Sequence, residues 1–272
     1  MRKLACVVLV CVLAGFCGCG RGTVEEATTI QSTTTETTTA EYTTEVWYTA
    51  DSFENKYDLA WAREAFNEWY FEPEVIEPFK RVTVRAIDMN EPQFIFIVHG
   101  YFGMEKNRDR YMVYAVDILN GNGEIHQRLD GFTTLWFGDD LVFEDFNHDG
   151  YVDIQLHACE GGSMRNEPSL FWLWDAKQYK YVENEQLEEI SSEASVTVED
   201  DGRIRAYTRE GAWGYYLSYY SYRSDKFIEV EIVDVHPQDE NDISNSGKAK
   251  DTYKLINGEM KLVSTEILEE YP

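Results

Sequence analysis

Basic residues are scarce in this sequence. Against 50 Asp and Glu there are only 24 Lys and Arg, a formal charge of −26 over 272 residues. Such an excess disfavours nucleic acid and anionic bilayer surfaces as partners. It favours cations, basic proteins or plain solubility, and most of these carboxylates read as a solvated acidic surface. Catalytic signatures are missing too. No G-x-S-x-G, HExxH, Walker loop or plausible Cys-His pair occurs, and Ser163 after Gly161-Gly162 lacks the nucleophile-elbow pattern. The acids are scattered rather than arranged as a glycosidase pair. A protein without enzymatic activity is expected.

Cysteine is absent from most of the chain. Cys6, Cys11, Cys17 and Cys19 crowd the N-terminus, and Cys159 stands alone beyond them. The start, MRKLACVVLVCVLAGFCGCG, joins a basic Arg2-Lys3 to an apolar run, Leu4–Phe16, too short for an ordinary membrane span. It resembles a bacterial lipoprotein signal, in which a cysteine preceded by a small residue is lipidated and becomes the mature N-terminus. Cys19, after Gly18, fits that role, so 1–18 is expected to be removed. Losing the two positive charges of Arg2 and Lys3 takes −26 to −28. Cys159 then has no partner within the chain, no disulfide is expected, and a buried, inert thiol is. The expected location is the outer face of the bacterial cell membrane, held by lipid alone.

Core-forming residues are sparse from 19 to 50, where threonine and glutamate dominate. This stretch reads as a disordered tether, spanning roughly 30 Å as a flexible coil. Residues 51–272 then read as a single β-rich domain. Asp51–Tyr70 carries the helix pattern, with Leu59, Ala62, Phe66, Trp69 and Tyr70 near i, i+3, i+4 positions, Asp51 or Ser52 as caps, and Pro73 and Pro78 beyond its end. From Arg81 onward the period is two: Val82, Val84 and Ala86; Phe94, Phe96 and Val98; Met112, Tyr114 and Val116. Turns are expected at Asn120–Gly123, Ala176–Gln178, Asp201-Gly202 and Asn257-Gly258. A chain of hairpins with one N-terminal helix implies a mainly β domain, an antiparallel sandwich or propeller-like arrangement. Val235–Lys250 reads as a long exposed loop.

The densest chemistry lies in Leu141–Leu156, LVFEDFNHDGYVDIQL. Asp145, Asn147, Asp149, Gly150, Tyr151 and Asp153 occupy positions 1, 3, 5, 6, 7 and 9 of an EF-hand-type loop. Positions 1, 3 and 5 supply hard oxygens, glycine the sharp turn, position 7 a carbonyl, and position 9 acts directly or through water. Without a cation these side chains would repel one another. Position 12, normally a bidentate glutamate, is Leu156, which points to a strand-loop-strand calcium site with a structural role rather than a sensor. His148, His157 and Cys159 match no common zinc spacing.

The run EDFNHDGYVDIQL, then Gly161-Gly162, then LFWLWDAKQYKYVENEQLEEI, resembles a family of exported bacterial proteins, many of them lipoproteins. These are related to periplasmic lysozyme inhibitors and to an immunity protein against a lysozyme-like effector. The loop is also similar to the calcium loops of FG-GAP and VCBS repeats. The resemblance implies a mostly β domain with calcium at Asp145, Asn147, Asp149, Tyr151 and Asp153. It also implies a protein-binding module, with inhibition of a lysozyme-like glycan hydrolase among its uses. The Ser-Gly-x-Tyr loop of one inhibitor group is not present, so no inhibitory residue is assigned. The alternative is carbohydrate or peptidoglycan binding through the aromatic strand Trp213, Tyr215, Tyr216, Tyr219, Tyr220 and Tyr222. The 159–168 loop beside the calcium motif is a further candidate surface.

Overall fold

Alternation of apolar and polar residues governs most of the domain. A computed structural model describes residues 42–43, 58–68, 71–88, 93–105, 108–136, 138, 141–159, 168–210, 214–239 and 247–268. Glu41–Pro272 form one compact unit. It is mainly β and antiparallel, with three sheets that each follow chain order.

The first sheet contains β1 (Tyr42–Thr43), β2 (Val75–Ala86), β3 (Gln93–Glu105), β4 (Arg108–Leu119) and β5 (Ile125–Asp130). Helix α1 (Leu59–Glu68) lies on one of its faces. Asp58 caps α1, its Oδ1 accepting the Trp61 N–H at 2.9 Å. Ala62, Ala65 and Phe66 turn inward against Tyr101, Met112 and Tyr114, while Leu59 is exposed. Trp69, Tyr70 and the caps expected at Asp51 and Ser52 lie outside the described residues. β1 falls within the stretch expected to be tether, where Tyr42 and Thr43 pair with Val84 and Thr83. β2 starts at Val75, before the expected Arg81, and takes in Pro78. Pro78 is tolerated because, among the described residues, β1 covers only the far end of β2 and no strand pairs with β2 on that side at Pro78.

A bulge breaks the expected alternation of β4. His99 pairs with Ala115 but Gly100 pairs with Val113, so Tyr114 is the extra residue. Met112 and Tyr114 therefore face α1, whereas Val113, Val116 and Ile118 face the second sheet. Gly100 is required at this kink, since a Cβ there would overlap the Met112 carbonyl oxygen and the Phe79 ring.

The second sheet contains β6 (Leu141–Glu144), β7 (Asp153–His157), β8 (Ser169–Asp175) and β9 (Lys180–Glu183). Ile154, Leu156, Trp172, Trp174 and Tyr181 pack against Phe94, Phe96 and Val98 of the first sheet. The opposite face of β8, Phe171 and Leu173, meets a second helix, α2 (Glu185–Glu193), and the third sheet. That sheet contains β10 (Ser195–Val198), β11 (Ile204–Glu210), β12 (Gly214–Arg223), β13 (Lys226–Pro237), β14 (Lys248–Ile256) and β15 (Glu259–Leu268). The order is thus α1, first sheet, second sheet, then α2 with the third sheet.

All four expected turns are present. Asn257 and Gly258 both have positive φ, 56° and 84°, as a two-residue hairpin of primed type requires. A further turn at Ser224-Asp225 reaches φ 51° and 59° without glycine. The expected long loop at Val235–Lys250 is shorter, because β13 runs to Pro237 and β14 begins at Lys248. α2 adds a second helix, capped by Asn184, whose side chain accepts the Leu187 N–H at 2.9 Å.

Candidate metal loop and neighbouring surfaces

The loop between β6 and β7 alternates oxygen-bearing side chains with anchors. Phe146 is buried, its ring edge-on to Phe171 at 5.1 Å. His148, at φ 57°, lies against Gly202 in the β10–β11 turn, where a Cβ would meet its ring. Tyr151 packs toward the first core, and the Val152 N–H donates to the Ile87 carbonyl at 2.8 Å. These anchors hold the intervening residues turned back into the loop. Asp145 accepts the N–H groups of Asp149 and Gly150, at 3.0 and 2.8 Å. Asn147 Oδ1 accepts the Asp149 N–H, and its Nδ2 donates to Asp149 Oδ2 at 2.9 Å. Asp149 Oδ1 accepts the Tyr151 N–H at 2.9 Å. Gly150 makes the sharp turn at φ 91°.

Asp153 stands behind the loop and is 0% exposed. One oxygen accepts the Phe146 N–H at 2.9 Å and the other the Trp174 N–H at 2.8 Å, tying loop to β8. Burial pushes its carboxyl up to about 8, and the charges of Asp149 and Asp145 add to that shift against the two backbone donors. Burial also raises Asp149, with Asp145 contributing. Among the described residues no Lys or Arg pairs with any of the three. As placed, no three His, Cys, Asp or Glu among the described residues form a metal-holding group. Asp145, Asn147 and Asp149 nevertheless present hard oxygens within one turn, the donor type calcium takes.

The remaining expected sites are dispersed. Cys19, Trp213 and most of the 159–168 loop lie outside the described residues. Cys159 is half-buried rather than fully buried, and burial raises its thiol. His157 is half-buried too, stacked on Trp136 at 4.8 Å. The aromatic strand divides by parity. Tyr220 and Tyr222 face α2 and the core, while Tyr215 and Tyr219 lie on the opposite face, Tyr215 beside Tyr207 and Tyr219 beneath Arg203 at 4.6 Å.

One cluster carries no sequence signal. His99, Asp117 and Arg128 come together in the first sheet, with His99 Nε2 2.7 Å from Asp117 Oδ2 and Arg128 Nη1 2.9 Å from Oδ1. Burial opposes the Asp117 charge, but His99 and Arg128 overcome it and hold the carboxyl below its ordinary range. The three residues are separated in sequence by register, not by a motif.

No family model matches the chain, and no curated protein does. A solved structure described as "Structure of a Xanthomonas Type IV Secretion System related protein" is similar at 16% sequence identity and TM-score 0.40, over 69% of this chain and 89% of that one. Among the described residues no helix is long and apolar enough to cross a membrane.

Proposed function

We propose that this chain is an exported, lipid-anchored cell-envelope protein whose β domain binds another protein and is stiffened by a structural calcium ion. Cys19 is the lipidated residue. Asp145, Asn147, Asp149 and the Tyr151 carbonyl hold calcium, with Asp153 completing the shell through water. The partner class is a basic secreted protein such as a lysozyme-like glycan hydrolase, and binding involves no catalysis by this chain. The observation that carries the calcium reading is the inward turn of Asp145, Asn147 and Asp149, with which no Lys or Arg among the described residues pairs. The charge excess supports a basic partner, since complementary fields speed association.

The test is thermal unfolding of the full chain in calcium and in EDTA. At a calcium level of about a hundred times the dissociation constant, binding adds about 2.7 kcal/mol of stability. Asp149→Ala abolishes the difference. An EDTA-insensitive melt at low residual calcium removes the calcium reading, and absence of lysozyme inhibition together with an empty pull-down removes the partner class. A glycan surface is the second reading, favoured by the half-buried Tyr207, Tyr215 and Tyr219 on the outer face of the third sheet. Tyr→Ala changes there then weaken peptidoglycan retention.

A further inference from the structure

The inner face of the third sheet is longer than the helix that covers it. α2 packs over Ile204 and Phe227, and beyond its last turn the face stays open as a cleft of about 360 Å³. Three strands and the helix end build its walls. Glu193 comes from α2, Glu210 from β11, Tyr216, Ser218 and Tyr220 from β12, and Glu229 from β13.

Glu229 reaches this cleft through a bulge. Tyr219 pairs with Glu231, but Tyr220 pairs with Glu229, leaving Val230 as the extra residue. In regular register Val230 would stand opposite Tyr220 and share its face. The bulge puts a carboxylate there instead, as bulges beside binding sites do. Asp234 stands opposite Tyr216 on the same face but outside the cleft's lining, its Oδ1 buried with no hydrogen-bond partner among the described residues. Among the described residues no Lys, Arg or His lines the cleft. Among the described residues none pairs with Glu193, Glu210 or Glu229. The carbonyl end of α2 opens beside it, without a basic residue in its last turn to offset that negative pole. Burial first and the charge of Glu229 second hold the Tyr220 phenol up at about 12, so its ring remains neutral.

We infer that this cleft receives an arginine or lysine side chain of a basic partner protein. Carboxylates from separate elements surround a space large enough for an alkyl stem, and tyrosine faces suit the cation that ends it. The chain cannot fill the cleft with its own Thr/Glu-rich segment, because residues 23–50 contain no Lys, Arg or His. The inference names the docking point within the binding-module reading and rests on that reading, but it does not depend on the calcium loop.

The experiment is calorimetric titration of the full chain with an acetylated Gly-Arg repeat peptide, its Gly-Gln counterpart and spermidine, each in calcium and in EDTA. The arginine peptide binds and the glutamine peptide does not. Loss of one charged contact, by Glu229→Gln or Glu210→Gln, weakens binding about tenfold, while Glu64→Gln on α1, at the other end of the layer order, leaves it unchanged. If either cleft variant fails to fold by circular dichroism, Tyr216→Leu replaces it with the same expected loss. Equal weakening by Glu64→Gln means diffuse charge attraction and overturns the inference. Spermidine binding at least as tightly as the peptide overturns it in favour of a free polyamine. Binding that persists in EDTA, with no calcium effect on melting, separates this cleft from the loop.

Discussion

Gln127 pairs with the whole peptide edge of Tyr181. Its Nε2 donates to the Tyr181 carbonyl and its Oε1 accepts the Tyr181 N–H, both at 2.8 Å. β5 and β9 are edge strands of different sheets, so one side chain closes an exposed edge and joins two layers. Gln186 repeats the device, donating to the Phe227 carbonyl at 2.6 Å and accepting its N–H at 2.9 Å, which fastens α2 to the third sheet. Replacing either by leucine costs about 1–3 kcal/mol in urea unfolding, because paired backbone groups lose their partners. The two costs add, since the sites share no partner.

Asp153 presents the same logic inside the candidate metal loop. Asp153→Ala orphans the N–H groups of Phe146 and Trp174 and is expected to cost about 2–4 kcal/mol, whereas Asp153→Asn keeps one acceptor and costs less. Urea midpoints at unchanged m-value check the order.

Asp117 gives a pH signature. Its folded carboxyl lies below the ordinary value, so the unfolded chain takes up its proton first as pH falls. Its contribution is present in full above about pH 5, declines as pH drops through the ordinary Asp value of about 3.9, and is gone below the folded value. The stability gap between the parent and Asp117→Asn therefore narrows on acidification below about pH 5. A gap constant from pH 6 to pH 3 contradicts this.

Gly100 and Gly121 form a matched pair. A methyl at Gly100 meets backbone and ring, while one at Gly121 meets nothing within 4 Å. Gly100→Ala is expected to lower stability by at least about 1–3 kcal/mol through overpacking. Gly121→Ala stays within about 0.5 kcal/mol of the parent, as exposed sites do. Paired melts of the two variants decide the matter.

The hairpins were legible because Asn-Gly and Asp-Gly supply positive φ directly to the turn. Ser224-Asp225 escaped notice since neither residue announces that conformation. The bulges at Tyr114 and Val230 leave no mark in composition, yet they decide which side chains share a face. α2 was hidden by its composition: Leu187 and Ile190 are the apolar residues among nine, and its attachment relies on Gln186, Glu188 and Ser191. The spacing of Asp145, Asn147 and Asp149 was readable as a loop. That Phe146 and Tyr151 anchor it in two different cores was not, because periodicity does not say which layer lies on which side.

Every sheet is a meander whose strands follow one another along the chain. No strand of the second or third sheet waits for a partner from another block, so each closes mainly through short loops with a small entropic penalty. Residues 75–130, 141–183 and 195–268 can thus condense in succession as the chain emerges from one end. The docking of blocks by Gln127 and α2 then becomes the slow, cooperative step.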